Sequence, residues 1–191
     1  MNNRIDEKHE QEQYFFDEPT IEKLTRFVSV FNNPVVLCMP MIGKRLHQQR
    51  KDVLTLDIDE RFADLPKFRL WSIWRPERLD ETFDLIALDP PFFSVSLSQM
   101  FTAVRLLANF DFSSKVMISY LKRRERALLG TFHPFNLQPT GYKPGYRTIK
   151  NCERNEIEFY ANFETGLTNE AMDNPNNKYP ESDIKRKSVQ R

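Results

Sequence analysis

The sequence has few of the residues that build disulfide frameworks, metal sites and glycine-rich loops. Its 191 residues include 2 cysteines, 3 histidines and 5 glycines, against 12 prolines. Two cysteines, Cys38 and Cys152, cannot make a disulfide framework, and the histidines (His9, His47 and His133) stand at no metal-ligand spacing. We therefore expect neither a disulfide scaffold nor a metal site.

Long hydrophobic runs and a strong net charge are also lacking. The longest apolar run, residues 35–42, is far shorter than the roughly 18 residues that a membrane span requires. The N-terminus is too polar for a signal peptide. The formal net charge of +1 gives no global field that would attract nucleic acid or an anionic membrane. The sequence therefore predicts a soluble, cytoplasmic protein without a membrane partner.

The composition predicts one folded domain between two polar ends. With 40% hydrophobic and 13% aromatic residues, a chain of this length can bury a single core. Residues 1–12 are charged and amide-rich, which predicts a disordered N-terminus. Residues 168–191 predict a flexible basic tail, because they have few large aliphatic side chains and end in a basic cluster (Lys185, Arg186, Lys187 and Arg191). We expect the folded domain over residues 13–167.

Short apolar runs alternate with amphipathic stretches, a pattern typical of an α/β fold. A first helix is expected from Asp17 or Glu18, and further helices over 41–50, over 97–108 and through Arg126 and Leu129. The predicted strands cover 35–39, 52–58, 68–74, 83–89, 115–121, 131–137 and 156–163. These elements predict a doubly wound, mostly parallel sheet of seven strands, with helices on both faces and an antiparallel edge pair at the end.

One short motif carries the chemistry. Asp89-Pro90-Pro91-Phe92 follows directly on the predicted strand 83–89, and open α/β sheets bind ligands at the carboxyl ends of their strands. One interpretation is a turn stiffened by proline, whose Asp caps the next helix. The other is an active site for methylation of an amine.

The motif suits two kinds of acceptor amine. The N6 amine of adenine is a poor nucleophile, because its lone pair is delocalised into the ring. The Asp89 carboxylate and the Pro90 carbonyl could each accept one N6 hydrogen and turn the lone pair toward a methyl donor, while Phe92 stacks on the base. For a lysine amine, Phe92 and Phe93 would instead form an aromatic cage around a cationic head.

Four segments together resemble one family. They are Asp89-Pro90-Pro91-Phe92, residues 13–16 (Gln-Tyr-Phe-Phe), residues 56–62 (Leu-Asp-Ile-Asp-Glu-Arg-Phe) and residues 155–167. They are similar to the family first labelled probable N6-adenine methyltransferases, which includes the elongation factor 1-alpha lysine methyltransferases and a zinc-finger ribosomal RNA adenine methyltransferase. The segment 155–167 resembles the lysine branch. The resemblance spans residues 13–167.

The resemblance implies a Rossmann-like class I methyltransferase fold that uses S-adenosylmethionine. The implied cofactor-binding residues are Pro40, Gly43, Asp57, Trp71 and Ser72. Asp57 would take the ribose hydroxyls, and Trp71 and Ser72 would flank the adenine ring. The loop 38–43 lacks the Gly-x-Gly-x-Gly pattern usual in methyltransferases, although this family is itself glycine-poor there. Asp57 could alternatively be a helix cap, and Trp71 a core residue.

The candidate acceptor-binding residues surround the motif: the resemblance implies residues 14–16, the aromatic cage would include Phe93, and the glycines, tyrosines and cations of residues 141–147 indicate a substrate loop. The candidates are Tyr14, Phe15, Phe16, Phe93, Tyr142, Tyr146 and Arg147. Residues 14–16 could instead be a hydrophobic staple for the first helix, and residues 141–147 a surface hairpin. The basic stretch Lys122, Arg123, Arg124 and Arg126 could be a solvated helix face or could contact phosphates.

The sequence therefore favours an S-adenosylmethionine-dependent N-methyltransferase. Its first candidate acceptor is a protein lysine on a partner resembling a translation factor, indicated by segment 155–167 and the neutral charge balance. An adenine of RNA or DNA is the alternative, indicated by the chemistry of the motif and the basic stretch. A degenerate binding module is a third interpretation, indicated by the glycine-poor loop and Ser72.

Overall fold

The computed structural model describes residues 5–149 and 155–169. The predicted basic tail lies outside these residues, apart from its first two. The helices are α1 (Glu18–Ser29), α2 (Pro40–Gln48), α3 (Leu97–Leu107) and α4 (Glu125–Thr131). The strands are β1 (Pro34–Leu37), β2 (Leu54–Asp57), β3 (Phe68–Leu70), β4 (Leu85–Leu88), β5 (Val116–Leu121), β6 (Gln138–Pro139) and β7 (Ile157–Ala161). Short 3₁₀ helices occupy His9–Gln11, Glu60–Phe62, Lys122–Arg124 and His133–Phe135.

The seven strands form one mixed sheet in the order β3-β2-β1-β4-β5-β7-β6. The first five strands are parallel to one another, and β7 is antiparallel to both β5 and β6. This confirms the predicted fold class, including the antiparallel edge pair. The chain builds outward from β1 to β3 and then returns to β4, so the strand order reverses between β1 and β4. A crevice opens at the carboxyl ends of strands at such a point.

The helix termini follow from the sequence. The Asp17 carboxylate accepts a hydrogen bond from the Thr20 amide at 3.0 Å, and Pro19 occupies the first turn of α1. A capping box in which Ser96 and Gln99 bond each other's backbone amides starts α3. Such caps fix the residue at which each of these helices begins.

The predicted sixth strand is wrong. Residues 131–137 contain the end of α4 and the 3₁₀ helix His133–Phe135, and β6 is a two-residue strand that follows them. Phe132 and Phe135, three residues apart, are both buried and both contact Phe101 of α3, which is a helical and not a strand spacing. The predicted third strand is also shorter, since β3 ends at Leu70.

Residues 5–12 are folded onto the domain, in contrast to the predicted disordered N-terminus. The Glu7 carboxylate accepts hydrogen bonds from the Phe15 amide at 2.7 Å and from the Thr148 hydroxyl at 2.6 Å. The Arg61 guanidinium donates to the backbone carbonyl of Asp6 at 3.0 Å. Polar contacts therefore hold a segment that lacks an apolar anchor. None of the described helices is long and apolar enough to cross a membrane.

Candidate active site

A pocket lies at the carboxyl ends of β1, β2 and β4, where the strand order reverses. It gathers residues from six separate parts of the chain. Its walls are residues 11–15, residues just after β1, the end of β2 with Ile58, three residues of the segment 71–74, the Asp-Pro-Pro-Phe motif and Tyr146. Of the candidate site residues from the sequence, it brings together Tyr14, Phe15, Pro40, Asp57, Trp71, Asp89, Pro90, Pro91, Phe92 and Tyr146.

Asp89 lies in this pocket with its two carboxylate oxygens in different environments. Oδ1 accepts the Tyr146 hydroxyl at 2.7 Å and also the Ser119 hydroxyl in a short hydrogen bond. Oδ2 accepts no hydrogen bond from any described residue. Burial raises the pKa of Asp89 to about 7, although the hydrogen bonds from Ser119 and Tyr146 oppose this rise. The site therefore holds a fixed carboxyl group with one oxygen left for a ligand.

The loop that carries Tyr146 is positioned by a glycine. The Gly145 carbonyl accepts the Asp17 amide at 2.9 Å, and its amide donates to the Thr20 hydroxyl at 2.8 Å. A Cβ at position 145 would lie 2.0 Å from Asp17 Oδ2, so only glycine fits this approach. The contact with α1 places the next residue, Tyr146, over the end of β4.

The rest of the motif is held from three sides. Phe92 is 7% exposed and meets the Tyr120 ring edge-on at 5.9 Å, and the Arg124 guanidinium donates to its carbonyl at 3.2 Å. The amides of Phe93 and Ser94 both donate to one oxygen of Glu12, at 3.0 and 3.2 Å. The loop after the prolines is therefore rigid.

A second buried carboxylate, Asp57, lies at the end of β2. Its Oδ1 accepts the Asp59 amide at 2.9 Å, and no described side chain donates to it. Burial raises the pKa of Asp57 to about 6. Burial also acts to raise the pKa of Asp59, but hydrogen bonds from Arg61 and Gln13 outweigh it, so that pKa is well below its usual range. Of the two carboxylates, Asp57 and Asp59, it is therefore Asp57 that can still accept hydrogen bonds from a ligand.

The turn after β1 replaces the usual glycine with Cys38. Cys38 has a φ of +56°, a left-handed conformation uncommon for a residue other than glycine. Burial, followed by the charges of Asp57 and Asp89, raises the pKa of its thiol well above the usual value. Cys38 is therefore a neutral thiol that also lines the pocket.

Two of the implied cofactor residues do not line the pocket. Gly43 lies inside α2 and faces β2, because a Cβ there would be 2.1 Å from Thr55 Oγ1. Its role is close packing of helix on strand. Ser72 lies outside the wall, whereas Trp71, Ile73 and Trp74 line it. Trp71 is also largely buried, and its indole donates to the Glu77 carbonyl at 3.2 Å, so this residue both lines the pocket and belongs to the core.

Four of the implied acceptor residues also lie outside the pocket wall. Phe16 is buried against Tyr146 at 4.9 Å between ring centroids, and Tyr142 is buried and stacks on Phe159 at 5.8 Å. Arg147 lies over the Phe15 ring, with its guanidinium carbon 5.4 Å from the centroid. Phe93 is 63% exposed and lies beside the pocket.

Several groups that shape the site have no recognisable signature in the sequence. Ser119 lies in the middle of β5 and donates its hydroxyl to Asp89. Nothing in the sequence around Ser119 distinguishes it from an ordinary strand residue. Gln13 bridges Asp59 and Arg61, at 2.8 Å to each, and thereby fastens the segment over the pocket. The only sequence signal for the contacts among Gln13, Asp59 and Arg61 is the acidic segment 56–62, which ends in Arg-Phe. Among the residues that the structure describes, no group of His, Cys, Asp or Glu could hold a metal ion.

The sheet order and the position of the pocket are those of the class I S-adenosylmethionine-dependent methyltransferases. Solved structures of similar fold include a TehB-like SAM-dependent methyltransferase from Corynebacterium glutamicum, with 16% identity over 76% of this chain and 87% of that chain and a TM-score of 0.51. Magnesium protoporphyrin IX methyltransferase from Synechocystis, solved with bound SAM, has 10% identity over 74% and 76% and a TM-score of 0.51. A SAM-dependent methyltransferase from Clostridium acetobutylicum has 9% identity over 75% and 89%, also at 0.51.

The sequence itself supplies the narrower assignment. Residues 7–165 match the family described as probable N6-adenine methyltransferase. The chain belongs to this family, and it is therefore a methyltransferase of the S-adenosylmethionine-dependent class. A comparison with curated proteins gives no match.

Proposed function

We propose that this protein transfers a methyl group from S-adenosylmethionine to the N6 amine of an adenine in nucleic acid. The observation that carries the proposal is the free Oδ2 of Asp89. Pro90, which also lines the pocket, has a carbonyl that accepts no hydrogen bond from the described residues. These two oxygens can accept the two hydrogens of an adenine amine and orient its lone pair for attack.

The pocket residues fit the methyl donor. S-Adenosylmethionine supplies an electrophilic methyl group bound to a cationic sulfur. The Asp57 carboxylate is buried and receives only backbone hydrogen bonds, from Asp59 and Ile58, so it can accept the ribose hydroxyls as additional donors. Ile58, Trp71 and Ile73 provide an apolar wall suited to a flat base.

The electrostatics beside the motif favour an anionic or neutral acceptor over a cationic one. Arg124 bonds the Phe92 carbonyl, and Arg123 and Arg147 lie against the rings of Phe93 and Phe15. Because the pKa of Asp89 is about 7, its carboxyl carries only part of a negative charge at neutral pH. Glu12 is an acid that contacts the motif loop, and one oxygen of its carboxylate already accepts two backbone amides. A lysine ammonium would meet these arginines, whereas nucleic-acid phosphates would be attracted to them.

A protein lysine is the second candidate. The observation in its favour is the resemblance of segment 155–167 to the lysine branch of the family, together with the net charge of +1. In that case the aromatic side chains around Asp89, among them Trp74 and Phe92, would enclose the aliphatic stem and the amine.

One labelling experiment separates the candidates. The purified protein is incubated with cell extract and methyl-labelled S-adenosylmethionine, and the product is divided between nuclease and protease digestion. We expect nuclease to release the label and the Asp89→Ala variant to produce none. Release by protease alone would replace the adenine proposal with the lysine one. No label from the wild-type protein would indicate a binding module without activity.

A further inference from the structure

The loop after the acceptor motif exposes an aromatic ring that the reaction does not use. Phe93 is 63% exposed, more than any other large hydrophobic side chain among the described residues. Its backbone is nevertheless held in place, because its amide bonds Glu12 and the Trp74 indole donates to the adjacent Ser94 carbonyl at 3.0 Å. A rigid loop that presents a phenyl ring to solvent, one residue beyond the pocket wall, is a platform for stacking.

An unpaired cation lies against this ring, and a second follows it closely in the chain. The Arg123 guanidinium carbon lies 5.8 Å from the centroid of the Phe93 ring. Arg123 belongs to the 3₁₀ helix Lys122–Arg124, and Arg126 is three residues further along, in the first turn of α4. Both are exposed, and neither forms an ion pair with a described residue. Lys122 and Arg124 are different, since Lys122 pairs with Glu158 at 2.9 Å and Arg124 bonds the Phe92 carbonyl.

We propose that Phe93, Arg123 and Arg126 form a docking surface for the single strand of nucleic acid that flanks the target base. A neighbouring base stacks on the Phe93 ring, and the two guanidinium groups contact phosphates. Stacking on an aromatic side chain next to cations is how proteins hold single strands without reading their sequence. The inference rests on the proposed nucleic-acid acceptor and adds the surface that binds it.

The chain contains a matched control for this surface. Phe110 is 51% exposed, and the Arg105 guanidinium carbon lies 5.5 Å from its ring centroid. It follows the C-terminus of α3, however, and therefore lies at the end of the sheet opposite the pocket. Phe110→Ala removes an equivalent ring paired with an arginine at a site that the proposed strand does not reach.

The test measures the affinity of a fluorescent single-stranded oligo(A) RNA for the variants by anisotropy. We expect Phe93→Ala to bind about tenfold more weakly, and Phe110→Ala to bind like the wild type. Arg123→Gln should also reduce the slope of log K against log salt by about 0.7, because one phosphate contact is lost. In turnover, Phe93→Ala should raise KM for RNA and leave kcat and the affinity for S-adenosylmethionine unchanged.

The possible failures are distinguishable. Equal affinities of Phe93→Ala and Phe110→Ala, whether both normal or both weakened, would overturn the docking surface. If the wild type still places label in nucleic acid, the proposed function survives that result. Label released only by protease overturns both. A wild type that binds no single strand at low salt also overturns the surface.

Discussion

The acceptor site depends on the different hydrogen bonding of the two carboxylate oxygens of Asp89. Ser119 and Tyr146 both donate to Oδ1, which fixes the carboxyl group and leaves Oδ2 for a substrate. Removal of the carboxyl group by Asp89→Ala should therefore lower kcat by at least about 100-fold, a typical cost of losing one oriented polar contact in a transition state. The measurement is methyl transfer by a variant whose circular dichroism matches the wild type.

The control is Asp64→Asn. Asp64 is exposed and lies outside the pocket, so this variant should retain full activity. A folded Asp89→Ala variant with normal kcat would contradict the mechanism.

The Tyr146 hydroxyl should set the pH at which Asp89 ionises. Activity requires the ionised carboxylate, so kcat should rise with pH through about pH 7. The hydrogen bond from Tyr146 lowers the pKa of Asp89, and Tyr146→Phe should therefore move this rise to higher pH and reduce kcat at pH 7 by about tenfold.

The control for this prediction is Tyr160→Phe. The Tyr160 hydroxyl also bonds a carboxylate, Glu125, at 3.0 Å, but it lies outside the pocket. Its loss should leave the pH profile unchanged. An unshifted profile in Tyr146→Phe would show that the hydrogen bond does not tune Asp89.

At the residue scale, the motif could be predicted from the sequence and its partners could not. Asp89-Pro90-Pro91-Phe92 is contiguous and follows a recognisable strand. Tyr146 is 57 residues from Asp89, and Ser119 is 30 residues away. Their contacts depend on strand order and on the approach of Gly145 to α1, neither of which leaves a local pattern.

At the scale of elements, the site depends on how closely α2 approaches β2. Gly43 contacts Thr55, so Gly43→Ala should reduce the free energy of unfolding by about 1–3 kcal/mol through overpacking. Chemical denaturation measures this change. Gly130→Ala in α4 is the matched control, because nothing lies within 4 Å of its added Cβ. That variant should be as stable as the wild type or more stable by up to about 1 kcal/mol. Equal stability of Gly43→Ala and Gly130→Ala would contradict the packing role.

Some strands and helices can be predicted from the sequence, and others cannot. Within residues 83–89, the apolar run Leu85–Leu88 is bounded by Asp84 and Asp89, and it forms the buried strand β4. Residues 131–137 mix aromatic residues with Pro134, and a short apolar run of this kind does not distinguish a strand from a helical turn. Asn136 takes a φ of +55° there and ends the turn before β6.

At the scale of the whole molecule, two buried carboxyl groups link stability to pH. The folded pKa values of Asp57 and Asp89 are about 6 and about 7, both above the usual value of 3.8. The folded state therefore binds more protons than the unfolded state between about pH 4 and pH 7, and stability should fall as pH rises through this range.

The double variant Asp57→Asn, Asp89→Asn isolates this effect, because it leaves the other ionisable groups in place. Urea denaturation at pH 5 and pH 8 should show the variant gaining stability relative to the wild type at the higher pH. A difference between the two proteins that is the same at both pH values would refute the linkage.

The overall sheet was predictable because hydrophobic periodicity is a local property. The N-terminal segment was not, because its contacts are polar and long-range: Lys8 bonds Asp59 across 51 residues, and Glu7 bonds Thr148 across 141. Composition predicts disorder for such a segment, whereas the carboxylates and Arg61 around the pocket hold it.

The most direct test of the central claim is to identify the methylated atom. RNA incubated with the wild-type protein and S-adenosylmethionine is digested to nucleosides and analysed by mass spectrometry, in parallel with RNA treated with Asp89→Ala. We expect N6-methyladenosine from the wild type and none above background from the variant. Methyl groups found on another nucleoside, or only on the lysines of protein acceptors, would contradict the central claim.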